Sequence, residues 1–329
     1  MTTTRTLQAA TLALCLVTAD VVGQVLLYVA PNGNDAWSGR RTTPNATRTD
    51  GPFATLTHAR DAIRALRHGG PIDQAVTVTV RGGQYFVTET LVFTAEDSGS
   101  QTCPVTFRAQ PGETAVLSGA RPVRGWKPYK GAIIVASLAD QGVTQFRFRQ
   151  LFLRGRRQTL ARYPNRDPLH PQTGGFLYVD TPSYREKTAF HFDRGEIPLD
   201  EWSDTGQAEV NIFPYNCWDH NIIRVRRFDP ETREVWLRYP VAGTINEGNR
   251  YFVRNVLDAL DAPGEWYVDW GTGELYVYPP DGAIADDEVV VPVVENIVAL
   301  SGTAANPVRH LTIQGFTLAY AEQDAVVLE

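Results

Sequence analysis

The stretch from His310 to Glu329, "HLTIQGFTLAYAEQDAVVLE", decides how this chain is read. Leu311 and Ile313, then Phe316, Leu318 and Tyr320, are spaced at every second position, and Gly315 separates the two runs. A period of two belongs to a strand with one face turned inward, so the segment reads as strand, turn, strand. Val326, Val327 and Leu328 then end the sequence on a third apolar run with no polar cap behind it. A bare apolar strand edge invites pairing. We therefore expect the sequence to be the N-terminal part of a longer chain. The other reading is a short protein that covers this edge with itself or with a partner.

Working back from that segment, the same pattern recurs. "AVTVTVRGG" (75–83), "TLVFTAEDSG" (90–99), "CPVTFRAQPG" (103–112) and "TAVLSGA" (114–120) are each a short β run closed by Gly, Pro or Asp. They are not joined by two-residue hairpin signals. This suits a coil of parallel strands, each turn stacked on the last, better than a sandwich. One segment reads as a helix: in "GPFATLTHARDAIRALRHGG" (51–70), Leu56, Ala59, Ile63 and Leu66 share a face. Arg64, Arg67 and His68 sit where the helix dipole favours cations, and Gly69-Gly70 closes it. An amphipathic helix placed before the first strands, at 55–68, is expected to cap the open end of such a coil.

Between about Arg121 and Pro292 the texture changes. "NIIRVRRFDPETREVWLRYP" (221–240) reads as a hairpin around Asp229-Pro230-Glu231-Thr232, and "EWYVDWGTGELYVYPPDG" (265–282) as another turning at Gly271-Thr272-Gly273. "QFRFRQLFLRGRRQTLARYPN" (145–165) alternates and bends at Gly155. The expectation is an antiparallel β domain, a small sandwich, inserted into the coil, with most of Trp266, Trp270, Tyr276 and Tyr278 in its core.

Composition narrows the function classes. The 329 residues are 43% hydrophobic and 21% charged, ordinary for a folded soluble chain, and the net charge of −6 argues against a nucleic-acid partner. The first residues, "MTTTRTLQAATLALCLVTADVVGQ", pair one positive charge, Arg5, with a mostly apolar stretch and small residues at Val17-Thr18-Ala19 and Val21-Val22-Gly23. That stretch is too short to span a bilayer and is read as a signal peptide, so the protein is expected to be secreted or periplasmic, with no membrane span after cleavage. Cys103 and Cys217 then remain; they are read as two separate buried thiols, with pairing as the alternative. No Cys/His spacing resembles a zinc site, no Gly-rich phosphate loop and no G-x-S-x-G occurs, and no cofactor or metal is implied.

The opening "YVAPNGNDAWSG" (28–39) with "DGPFATLTHARDAI" (50–63), the phrase "LFLRGRRQTLARYPN" (151–165) and "GEWYVDWGTGELYVYPP" (264–280) together resemble secreted right-handed parallel β-helix proteins of the pectate-lyase-like superfamily. The resemblance is nearest to bacterial glycoside hydrolases with a β domain inserted early in the helix, of the β-xylosidase and α-L-fucosidase/xylanase kind. It implies an all-β chain with a signal peptide at 1–24, a cap and first rungs at 25–120, an inserted antiparallel β-sandwich-like domain at 121–290 and a resumed helix at 291–329. It also implies further rungs carrying the main catalytic carboxylates, so that the present chain alone is expected to be nearly inactive.

Glycoside hydrolysis needs two carboxyl groups, about 5–5.5 Å apart for retention and about 6.5–9.5 Å for inversion. Stacked rungs about 4.8 Å apart set such spacings for carboxylates on neighbouring turns. Glu322 and Asp324, in "YAEQDAV", are the candidates here, with a partner expected on a rung that follows; solvated turn carboxylates are the ordinary alternative. In "NCWDHN" (216–221), Trp218, Asp219 and His220 combine an aromatic platform with an acid and an imidazole, a lip that suits a sugar. A core Trp followed by a turn fits the same letters. In "RGRRQTLARYPN", Arg154, Arg156 and Arg157 read as a solvated hairpin tip, while Arg162 and Tyr163 carry the family resemblance and are candidates to face a cleft. The acidic run Asp286-Asp287-Glu288 reads as a loop.

The expectation is thus a secreted glycoside hydrolase acting on plant or algal polysaccharide. The alternatives are a carbohydrate-binding or surface β-helix protein without catalysis, and a polysaccharide lyase, which would need an acidic calcium cluster beside a basic residue.

Overall fold

The computed structural model describes residues 23–67, 70, 73–183, 185 and 187–329. The expected signal peptide lies, up to residue 22, outside the described residues, and Gln24 already belongs to a strand. The chain is nearly all β with one α-helix, and it divides into two compact units.

The first unit runs to Gly82 and adds Thr94–Glu113 and Ala304–Gly315. Its sheet holds Gln24–Val29, Ala75–Val80, Val105–Ala109 and Leu311–Gln314 in that order, every pair parallel. In register, Leu27, Val78, Phe107 and Ile313 follow one another across the sheet. A parallel sheet with like residues in register stacks apolar side chains in columns, and Leu27, Val78 and Phe107 are at most 3% exposed. The helix spans Leu56–Leu66. Thr55 caps it, its hydroxyl accepting from the His58 amide at 3.1 Å, and Asp35 in turn accepts from the Ala54 and Thr55 amides at 2.8 and 3.0 Å. Leu56, Ala59 and Ile63 are buried as their spacing predicts, but Leu66, in the last turn of the helix, is 39% exposed. Arg64 grips Asp97 with bonds of 2.8 and 2.7 Å, so the helix is held to the short 3₁₀ turn Ala95–Asp97 by a buried carboxylate. His68 and Gly69, read as part of the helix end, lie outside the described residues.

The second unit holds Gly83–Phe93, Thr114–Thr303 and Phe316–Glu329. One of its sheets pairs Gly83–Phe86, Ala115–Ser118 and Phe316–Ala319 in parallel. Another orders Leu91–Thr94, Val298–Ser301 and Val326–Leu328, the last two parallel. The final stretch of sequence is therefore three strands that join three different sheets. Between Ala115–Ser118 and Val298–Ser301 the chain makes a long excursion. It leaves and returns on Ala120–Val123 and Val289–Pro292, which pair antiparallel with Ala120 opposite Pro292.

The excursion contains sheets of four, five and seven strands, antiparallel throughout except where Thr159–Leu160 meets Glu265–Asp269. The predicted hairpins form: Asp229 pairs with Glu234, Asp269 with Glu274, and Gly155, at φ 77°, turns Phe152–Leu153 onto Arg156–Arg157. The four- and five-stranded sheets share a core of Val123, Leu153, Trp266, Leu275 and Val289. The seven-stranded sheet has a separate core built from Val210, Ile212, Ile223, Tyr251 and Val253. Trp266 is 2% exposed, and truncating such a side chain typically costs about 3–5 kcal/mol.

Candidate functional site

Because side chains alternate across a strand, fixing Val210, Ile212, Ile223, Tyr251 and Val253 in the core forces their neighbours onto the opposite face of the seven-stranded sheet. Cross-strand register then sets the rows. Arg254, Glu209 and Arg224 stand opposite one another, and Phe252, Asn211 and Ile222 form the next row. At the strand ends the pattern continues with Arg250, Phe213 and His220: the Arg250 guanidinium lies 4.5 Å from the Phe213 ring centre, and the His220 ring stacks on Phe213 at 4.6 Å and 6°.

Glu209 is the hub of this face. It is 7% exposed and receives Arg254 Nε at 3.0 Å and both terminal nitrogens of Arg149, at 3.1 and 2.7 Å. Burial holds the Arg254 guanidinium below the ordinary arginine range, and the charge of Glu209 offsets part of that. Asn211, fully buried, meets His220 Nε2 at 3.0 Å through Oδ1, while its Nδ2 has no partner. Burial, then the charges of Arg254 and Arg250, lower the His220 imidazole from its ordinary value, so it is neutral at pH 7. A neutral ring donating from Nε2 keeps Nδ1 as an acceptor.

Arg149 also ties this face to the end of the chain. Its backbone amide donates to Glu322 Oε1 at 2.9 Å, and the neighbouring Gln150 side chain donates to the Glu322 carbonyl at 2.5 Å. Glu322 Oε2 is buried without a partner. Burial raises the Glu322 carboxyl above its usual range, against the lowering effects of the Arg149 amide and of the charges of Arg149 and Arg157; Glu295 adds to the rise. Glu295 belongs to the adjoining segment, where Val294 and Glu295 carbonyls accept from the Glu322 and Gln323 amides at 3.1 and 2.9 Å. Asp324 is exposed, its amide held by Asn296 Oδ1 at 3.2 Å.

The predicted candidates therefore separate. Glu322 is linked through Arg149 to Glu209, while His220 is bonded to Asn211 in the next row of the same sheet face as Glu209. Trp218, 87% exposed, and Tyr215, 57% exposed, both stand at the surface, and Asp219 is exposed as well. Arg162 is 8% exposed and is used inside the protein: it donates to the carbonyls of Pro164, at 2.9 Å, and Gly175, and its guanidinium lies 3.7 Å from the Phe252 ring centre. Burial pushes it down to about 10. Tyr163 points to the other side, packing edge-on against Trp202 at 5.9 Å and joining the core. Arg154, Arg156 and Arg157 are exposed, as a solvated tip would be, and Arg154 is also ion-paired, bonded to Glu288 at 3.0 and 2.9 Å and to Asp281 at 3.0 Å. Cys103 and Cys217 are both free thiols; Cys103 is buried as expected, whereas Cys217 is exposed.

Glu209, Asn211, Arg149 and Glu295 were not singled out in the sequence. The available signal was the alternation of "EVNI" (209–212), where two polar residues interleave with two apolar ones in a strand. Among the described residues no group of three or more His, Cys, Asp or Glu is placed to hold a metal ion, and no helix is long and apolar enough to cross a membrane.

Against this geometry, one solved structure, a glycoside hydrolase, superposes with a TM-score of 0.71 over 90% of this chain at 24% identity. The chain spans 51% of that protein's length, and the likeness establishes a shared fold. A second solved structure, XylC in complex with xylose, matches over 91% of this chain and 36% of its own length, at 13% identity and a TM-score of 0.41. No family model matches the chain. No curated protein matches it.

Proposed function

We propose that this chain is part of a secreted glycoside hydrolase acting on plant or algal polysaccharide, built on a right-handed parallel β-helix whose second turn is interrupted by the antiparallel excursion. The carboxyl of Glu322 carries the reading. A glycosidase keeps one carboxyl protonated as the acid while its partner stays ionised, and it does so by giving the two different surroundings. Glu322 has a raised pKa from burial, is oriented by the Arg149 amide and keeps one oxygen free of protein partners. In this reading Glu322 donates the proton to the leaving oxygen, and Glu295 helps to keep it protonated. The ionised partner comes from the part of the fold that the chain, spanning 51% of the similar glycoside hydrolase, does not reach.

The test is reducing-sugar release from plant and algal polysaccharides by the longer protein and by this chain. The longer protein should hydrolyse a polysaccharide, Glu322→Gln should lower kcat by about 10²–10⁴-fold, and this chain alone should release almost nothing. Full activity in Glu322→Gln would remove the assignment. Exposed Trp218 and Tyr215 favour a second reading, a carbohydrate-binding protein without catalysis. Retention on immobilised polysaccharide with no sugar released by the longer protein would select it, and an unsaturated product would point to a lyase instead.

A further inference from the structure

A cleft of about 170 Å³ opens beside Glu209, lined among others by Arg147, Arg149, Gln207, Arg224, Asn255 and Trp270. The cleft is partly open, and at about 170 Å³ it has room for a single sugar residue. Its charge is the unusual feature. Glu209 is the one carboxylate of the lining, and Arg149 and Arg254 already hold it. Arg224 uses one terminal nitrogen on the Gly206 carbonyl at 3.0 Å, and among the described residues neither Arg224 nor Arg147 is ion-paired with a carboxylate. The cleft is therefore lined by two guanidinium groups in excess of its acid.

Arg147 is also preorganised. Its guanidinium lies 5.7 Å from the Trp270 ring centre, and Trp270 is fixed by an edge contact with Phe148 at 5.2 Å. A guanidinium stacked on an indole keeps its N–H fork free in the ring plane, the arrangement that grips a carboxylate or sulfate with two parallel bonds. Complementary groups for hydroxyls are present. The Gln207 amide nitrogen is spent on Tyr267 Oη at 2.9 Å and that of Asn255 on the Gln207 carbonyl at 2.9 Å, so each side chain retains its oxygen as an acceptor. Trp266, which also lines the cleft and is 2% exposed, has an indole N–H without a partner.

We propose that this cleft binds a single sugar residue carrying an anionic substituent, with Arg147 and Arg224 on the anion and Gln207 and Asn255 on the hydroxyls. This deepens the carbohydrate reading by naming an acidic glycan as its ligand, and it does not depend on Glu322 acting as an acid. A uronate and a sulfated sugar share the chemistry, and the test separates them.

The experiment is titration of the purified chain, followed by calorimetry and tryptophan fluorescence, with methyl glucuronide, methyl glucoside 6-sulfate and methyl glucoside. One or both anionic sugars should bind at least tenfold more tightly than the neutral glucoside, the tighter one identifying the substituent. Raising salt should weaken that binding. Arg147→Ala should cost about tenfold or more in affinity for the anionic sugar, the expected worth of a charge-assisted contact, while leaving the neutral glucoside unchanged. Arg147→Lys should recover part of the affinity, because the charge returns without the planar fork. Arg147 is exposed, so its truncation should not unfold the chain. Equal affinity for neutral and anionic sugars, no binding of either, or an unchanged affinity in Arg147→Ala would overturn the proposal. Because binding is read without turnover, hydrolysis by the longer protein with no monosaccharide binding here would sink the cleft alone, and selective binding with no hydrolysis would sink the enzyme alone.

Discussion

The guanidinium of Arg149 closes on the carboxylate of Glu209 with two parallel bonds of 3.1 and 2.7 Å. Arg149 is about half exposed and Glu209 is not, so the two ends of this pair have different consequences when removed. Glu209→Ala leaves Arg254, 17% exposed at its side chain, without its counter-charge. Breaking such a buried pair costs about 3 kcal/mol or more. Arg149→Ala leaves Glu209 still bonded to Arg254 and should cost about 1 kcal/mol. Urea denaturation of both variants, and of the double variant, checks the order.

Glu265 makes stability depend on pH. It is 3% exposed, and burial pushes its carboxyl up to about 7, despite amide donors from Arg162 at 3.3 Å, Asp261 at 3.3 Å and Ala262 at 3.2 Å. Desolvation outweighs three long bonds. The folded chain then holds a proton that the unfolded chain, with a value of 4.5, releases earlier. This contribution is full below pH about 4.5 and is lost as pH rises through about 7, amounting to at most about 3 kcal/mol. Glu265→Gln should flatten that part of the stability profile; an unchanged slope between these values would falsify the assignment.

On the first unit, Arg64 and Asp97 anchor the helix. Asp97 is 2% exposed and also accepts from the Thr94 amide at 2.7 Å. Arg64→Ala should cost about 3 kcal/mol in chemical denaturation because it strands a buried carboxylate. Arg64→Lys should restore little, since one ammonium cannot make both parallel bonds.

Gly33 and Gly112 should respond differently to the same substitution. A methyl group at Gly33 would lie 2.0 Å from the Phe53 carbonyl oxygen, so Gly33→Ala must displace backbone. We expect a loss above about 3 kcal/mol or failure to fold. Gly112 has a φ of 79° with open space around it, and Gly112→Ala should cost about 1 kcal/mol through backbone strain alone. Thermal unfolding of the two variants decides.

Trp218 gives a surface test of the carbohydrate reading. At 87% exposure, Trp218→Ala should change stability by less than about 0.5 kcal/mol. Its retention on polysaccharide in affinity electrophoresis should nonetheless fall severalfold. Unchanged retention would take Trp218 out of the binding surface.

Much of the local architecture was legible in the sequence. The alternation in 75–80, 105–109 and 311–319 marked strands, and the absence of hairpin signals between them anticipated their parallel pairing. The turns at Asp229, Gly155 and Gly271 were readable because turn chemistry is a property of a few adjacent residues. Across the intervening residues, Leu311–Gln314 pairs in parallel with Val105–Ala109.

The polar network was not legible, and the reason is sequence separation. The Arg149 amide meets Glu322 across 173 residues, and its guanidinium meets Glu209 across 60. No local pattern records which residues a 170-residue excursion will bring back to the strand it left. Arg162 shows the same limit in reverse. Its neighbours suggested a cleft, but the fold turned Arg162 inward onto Phe252 and the Pro164 carbonyl, while Tyr163, one residue on, joined the core on the opposite face.

By itself, then, the sequence determined the period of each element, the caps and the turns, because these rest on backbone sterics and on burial repeated every two residues or every helical turn. Only the tertiary structure decided which carboxylates are buried, which guanidinium groups hold them and which are left over to line a cleft. Those outcomes depend on desolvation and on charges brought together from distant strands, and neither is a property of any single stretch.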